Sequence, residues 1–182
     1  MKRIGIAAAS CAVASVLAAG ATGAFGAAHT AKTNSSLGLD ENYLETSIQG
    51  DRFEIEGGKI ALQKSQTPAI RSLAQTLIKD HTKSLRESKT LANALHTQIP
   101  HSPSFSEVWE LQVVNSFSGN QFDRWYAYLE EQDHKQDIAE ASNEAKNGKQ
   151  AHVRKSARRE LPVLKTHLRL SKAALKAVGG TP

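Results

Sequence analysis

The spacing of apolar residues limits the fold of this chain more than any other feature. Ile70, Leu73, Leu77, Leu85, Ser88, Leu91 and Leu95 fall three, four or eight positions apart, which puts them on one face of an α-helix. His81 lies on the same stripe, four residues after Leu77 and four before Leu85, where an apolar side chain belongs. No stretch keeps the period of two that a strand requires for more than a few residues. The chain is therefore read as all-α.

Local punctuation divides it into four long helices. Asp40 offers a cap for the first, roughly 41–65, whose stripe is Leu44, Ile48, Ile55 and Leu62. Gly50, Gly57 and Gly58 lower its helix propensity, so each marks either close packing or a weak point. Thr67-Pro68 starts the second helix, which runs to about 97 and stops before Pro100 and Pro103. Ser104-Phe105-Ser106-Glu107 has capping-box spacing and opens a short helix to about Phe117. The third long helix follows Ser118-Gly119 and ends near Lys146, with Gly148 as its stop. The fourth covers about 150–177, with a kink or break expected at Pro162. These lengths and mostly short connections predict an up-and-down four-helix bundle over residues 39–178, with a short extra helix between the second and third long ones.

Residues 1–28 are set apart as a signal peptide: a basic start at Lys2 and Arg3, an Ala-rich apolar run, then small residues suited to cleavage. Residues 29–38, polar and small, are read as a disordered tether. Export follows, to a secreted, periplasmic or wall-associated location, with no membrane span in the mature chain. The single cysteine, Cys11, leaves with the signal, which excludes disulfides, thiolate ligands and a cysteine nucleophile. Loss of Lys2 and Arg3 leaves 21 basic against 18 acidic residues, too small an excess to mark a nucleic-acid binder.

Three segments resemble a known family when taken together and in order. They are FEIEGGKIALQKSQTPAIRSLAQTLIKDHTKS, SGNQFDRWYAYLEEQDHKQ and LPVLKTHL, at 53–84, 118–136 and 161–168. The chain resembles the exported bacterial family called domain of unknown function 4142 over about residues 39–176. That resemblance implies a ferritin-like bundle and an envelope location, and implies no particular activity.

His81, His134 and His167 stand on three different helices. His81 follows Pro68 by 13 residues, His134 follows Gly119 by 15, and His167 follows Gln150 by 17. At about 1.5 Å per residue each is roughly 20–25 Å into its helix, and Glu54 is midway along the first. All four therefore fall near one level of the bundle. With Glu131, placed three residues before His134, they form a candidate site for a single divalent metal ion. A di-iron oxidase site needs a Glu-x-x-His motif on each of two helices. Glu131 to His134 supplies one, while Ile78 and Leu164 occupy the matching places before His81 and His167, which argues against di-iron. Asp80 and Asp133 each precede a histidine, about 100° round the helix, and could serve instead as partners across helices in a polar core layer.

The last helix is basic, with nine Lys or Arg residues and one acid, Glu160, between Lys149 and Lys176. It either packs beside the acids of the third helix or presents Arg154, Lys155, Arg158, Arg159, Lys165, Arg169 and Lys172 to anionic envelope polymer or lipid. Few aromatics are available to stack bases, and no Gly-rich phosphate loop or catalytic triad stands out. The reading is an envelope protein with a non-catalytic binding or structural role, with metal binding and anion binding as alternatives.

Overall fold

All regular structure among the described residues, 38–182 of a computed structural model, is helical. The expected signal peptide and all of the tether but Gly38 lie outside them. The elements are α1 (Leu39–Lys64), α2 (Pro68–Ala94), α3 (Phe105–Ser116), α4 (Gly119–Asn147) and α5 (Ala151–Ala177). Pro68 begins α2 as its fixed φ favours, and Ser104 and Glu107 close a full capping box on α3.

Asp40 does something other than expected. Gly38 is the N-cap of α1, and the buried Asp40 carboxylate instead accepts the backbone N–H groups of Lys149 and Gln150 at 3.0 and 2.7 Å. It thereby satisfies donors where α5 begins, over a hundred residues away. α5 also runs unbroken through Pro162. The ring lies on the solvent side of the helix, where water can take up the carbonyl of Arg158 that proline leaves unpaired.

Each long helix packs on two others: α1 on α2 and α4, and α5 on α4 and α2. Cross-helix contacts give their directions. Arg71 reaches the Leu62 carbonyl, and Ser47 meets Ser88, so α2 is antiparallel to α1. Thr67 meets Asp123, while Asp40 meets Lys149, so α4 also runs against α1. Arg124 reaches the Gly180 carbonyl, which returns α5 to the direction of α1. The order is up, down, down, up, in place of the simple alternation that short connections predict. The segment carrying α3 climbs back along α1, held by Arg52 on the Pro100 carbonyl and Lys64 on the Asn115 carbonyl.

Gly58 permits the close approach of α1 to α2. A Cβ there would stand 2.7 Å from Ile78 Cγ1 and 3.1 Å from the Ala74 carbonyl. Close packing, and not weakness, accounts for this glycine.

The apolar core is divided. One cluster, around Leu73, Leu77, Phe122, Tyr126 and Leu175, occupies the end of the bundle where α1 finishes. A second, around Leu44, Ile48, Val153, Ala157 and Leu164, occupies the other end. On every long helix the residues between the two include buried polar side chains: Asp51 and Glu54, His81, Glu130 and His134, and His167. A polar layer therefore crosses the bundle at mid-height.

Candidate metal centre

Three imidazoles occupy that layer. His81 and His167 ring centroids are 5.1 Å apart, His134 and His167 5.2 Å, and His81 and His134 5.7 Å. His134 is fully buried, with His167 and His81 only 1% and 5% exposed. One ring nitrogen from each histidine lies within 4.8 Å of those of the other two.

The hydrogen bonds follow one rule. His81 Nδ1 contacts Asp51 Oδ1 at 2.9 Å, His134 Nδ1 donates to the Glu130 carbonyl at 2.7 Å, and His167 Nε2 contacts Asp80 Oδ2 at 3.1 Å. The remaining nitrogens, Nε2 of His81, Nε2 of His134 and Nδ1 of His167, are buried without a hydrogen-bond partner among the protein groups. A buried polar atom left unpaired costs about 1–3 kcal/mol, and each of the three clustered rings carries one. Metal-ligating histidines show this division, one nitrogen oriented by a carboxylate or carbonyl and the other free for the ion. Glu54 Oε1 adds a 3.4 Å contact to His134 Nδ1.

Burial pushes all three imidazoles below their ordinary range, His81 and His167 to about 4 and His134 to about 3. For His134 and His167 the neighbouring imidazole of His81 adds to the effect. All three are neutral at pH 7, the form that ligates metal. Burial also holds the carboxyls of Glu54 and Asp51 well above the usual range, and lifts Glu130 to about 8 and Asp133 to about 6.

A cavity of about 160 Å³ reaches this layer, with His81, His167, Asp51, Asp80 and Asp137 in its walls. The exposed Lys83 and Arg159 also line it, so it communicates with solvent.

The structure sorts the candidates from the sequence. His81, His134, His167 and Glu54 meet, and Asp80 and Asp133 lie in the same layer, Asp80 on His167 and Asp133 beside Glu54 and Asp137. Glu131 does not join them. It pairs with Lys135 at 2.7 Å, because a residue three before His134 lies about 60° round the helix. Glu130, four before His134, shares the inner face, and its carbonyl orients the ring. Asp51, Glu130 and Asp137 were missed. A readable signal existed: Asp123, Glu130, Asp137 and Glu144 recur every seven residues on α4, and all but the partly buried Asp137 are shut away from solvent.

Among the described residues the basic side chains of α5 form no salt bridge with the acids of α4, although the charge of Arg154 acts on Glu144. Arg154 bonds the carbonyls of Gly148 and Lys149, Arg158 that of Ala145, and Arg159 pairs with Glu87 of α2 at 2.5 Å. Lys155, Lys165, Arg169 and Lys172 are exposed. Most α4 acids are out of their reach because several face the core.

A sequence model of a domain of unknown function, DUF4142, matches residues 24–174. The chain belongs to the DUF4142 family. No curated protein matches it. Among solved structures, this DUF4142 chain is similar to CopM in its Cu(I)-bound form, at 20% identity and a TM-score of 0.65, covering 78% of this chain and 98% of CopM. It is also similar to a DUF305 protein from Streptomyces coelicolor, at 13% identity, a TM-score of 0.67, and coverage of 79% and 96%. A DUF305 fragment from Deinococcus radiodurans gives 14%, 0.67, and coverage of 76% and 96%. At these identities the likeness shows a shared helical fold. None of the described helices is long and apolar enough to cross a membrane.

Proposed function

We propose that this DUF4142 protein is an exported, ferritin-like four-helix bundle that binds one divalent metal ion in the bacterial envelope, through His81, His134 and His167. One observation carries the reading: each imidazole has one nitrogen oriented by Asp51, the Glu130 carbonyl or Asp80 and one buried and unpaired, and the three rings each bring a nitrogen within 4.8 Å of the others. A polar layer that served only to fix helix register would satisfy its own nitrogens.

The donor set narrows the ion. All three donors are neutral nitrogens, and the sequence has one Met and one Cys, Met1 and Cys11, both outside the described residues. Without thioether or thiolate, the site favours copper(II) or zinc(II) over copper(I). Copper gains support from CopM, which has been solved in Cu(I)-bound and Cu(II)-bound forms. Three protein ligands leave a position for an external group, and the cavity at His81 and His167 supports an exchangeable ion over a sealed structural one. The up, down, down, up order with one long crossover supports the ferritin-like description. Bound there, the ion supplies a Lewis-acidic, substitutable position. The chain's residues hold it, orient its imidazoles and keep the layer neutral.

The test is metal analysis and titration of purified protein with copper(II) and zinc(II). One equivalent is expected in the wild type and strong loss in both His81→Ala and His134→Ala. A wild type that retains neither ion ends the reading.

A second reading concerns the exposed Lys155, Lys165, Arg169 and Lys172, none of which enters an ion pair among the described residues. These charges support contact with anionic envelope polymer or lipid headgroups, independently of the metal.

A further inference from the structure

Glu54 is the hub of a second group of ligand-type side chains. Glu54, Glu130 and His134 each place a ligand atom within 4.8 Å of the others, and Glu54, Asp133 and Asp137 do the same. Glu54 and Glu130 are 0% and 1% exposed, and among the described residues the Tyr126 hydroxyl, on Glu130, is the hydrogen-bond partner that their carboxyls meet outside the group. Tyr126 adds an independent sign. Its hydroxyl is buried with no partner other than the Glu130 side chain. None of the ion pairs made by Lys or Arg among the described residues reaches these acids.

Carboxyl groups this deeply buried require compensation, from protons or from a cation. His134 cannot easily serve both groups as a ligand, because its Nδ1 donates to the Glu130 carbonyl and leaves only Nε2 free. The carboxyl group therefore stands as a set of oxygen donors beside the imidazole set, joined to it by the 3.4 Å contact of Glu54 Oε1 with His134 Nδ1. Asp137 lines the same cavity as His81 and His167, so an ion reaching one set can reach the other.

We infer that Glu54, Glu130, Asp133 and Asp137 form a second cation site, separate from the imidazole site, that takes a hard divalent ion such as manganese(II). Oxygen donors select such ions, whereas imidazoles favour copper and zinc. The two sites would sort ions by donor type within one bundle.

The experiment is manganese(II) titration of the full-length chain, with free ion followed by electron paramagnetic resonance. Four proteins are compared: wild type, the double variant His81→Ala/His167→Ala, Glu54→Gln and Glu130→Gln. The wild type should bind one equivalent. The histidine double variant should keep that affinity within about threefold, while Glu54→Gln and Glu130→Gln each lose at least tenfold. Glutamine preserves shape, and helical circular dichroism with retained copper(II) binding shows that these variants fold. No manganese binding by the wild type overturns the inference, as does wild-type affinity in both Gln variants. Loss of manganese in the histidine variant assigns the ion to the imidazoles and also overturns it. Failure of copper or zinc to bind would end the imidazole reading alone.

Discussion

Replacing His167 with leucine distinguishes a ligand from a structural core residue, because the two roles respond differently to metal. His167 is 1% exposed, and its Nδ1 is buried without a partner. Removing that atom recovers about 1–3 kcal/mol in the metal-free protein, and leucine fills a similar volume. The loss is the 3.1 Å bond to Asp80, whose side chain is 32% exposed and can return to water; a bond to a charged group contributes about 1.5–3 kcal/mol. The two nearly cancel, so metal-free His167→Leu should melt within a few degrees of the wild type. Metal separates them. An ion at a hundred times its dissociation constant stabilises the wild type by about 2.7 kcal/mol, or roughly 5–11 °C for a domain of this size. The variant should gain almost none of this. Calorimetry in chelator and then in copper(II) or zinc(II) reads both effects. A variant more than about 1 kcal/mol less stable in chelator, together with a wild type indifferent to metal, would refute the reasoning.

Other outcomes follow from the same geometry. Asp51→Asn and Asp80→Asn should each weaken copper(II) or zinc(II) binding by about 10–100-fold, since these acids orient ligands without touching the ion; unchanged affinity in titration would show that orientation is unimportant. In the metal-free protein, burial raises Glu130 from an ordinary 4.5 to about 8. The folded state thus holds a proton that the unfolded state has lost, and stability should fall as pH rises from about 7.5 through 8. The three imidazoles, lowered in the folded state, still take up protons in the unfolded chain near their ordinary 6.5 and so oppose this at lower pH. Above about pH 7.5 they are largely neutral in both states. Thermal melts across that window should decline for the wild type and less for Glu130→Gln; a flat or rising wild-type profile contradicts the assignment. Glu131→Gln should change neither metal affinity nor stability by more than about 1 kcal/mol, because its ion pair is with the exposed Lys135 and not with the site; a large affinity loss would return Glu131 to the site. Sedimentation with anionic vesicles should fall at high salt if the α5 lysines bind headgroups, and salt-indifferent binding would exclude them.

Helix identity was legible because its signals are local. Pro68, the Ser104 to Glu107 box and Gly148 mark boundaries through backbone chemistry that tertiary packing leaves alone. The level shared by the histidines was also legible, since rise per residue fixes height once a helix start is known. Facing was harder. Glu131 satisfied a motif spacing, yet four residues and not three bring a side chain onto the face of His134, so Glu130 holds the inner place. Asp40 shows a different limit. Its type and position suit an N-cap, and only the fold reveals that the donors it satisfies belong to α5. Helix order was likewise beyond reach of spacing alone, because nothing local tells whether the α3 segment turns back at once or climbs the bundle.

Zinc-edge X-ray absorption on protein loaded with one equivalent of zinc(II) reads the three-imidazole coordination itself. Three imidazole nitrogens are expected at about 2.0 Å, with outer-ring scattering from three histidines that falls to two in His167→Leu. An oxygen-only shell, or zinc that does not remain with the protein, would contradict it.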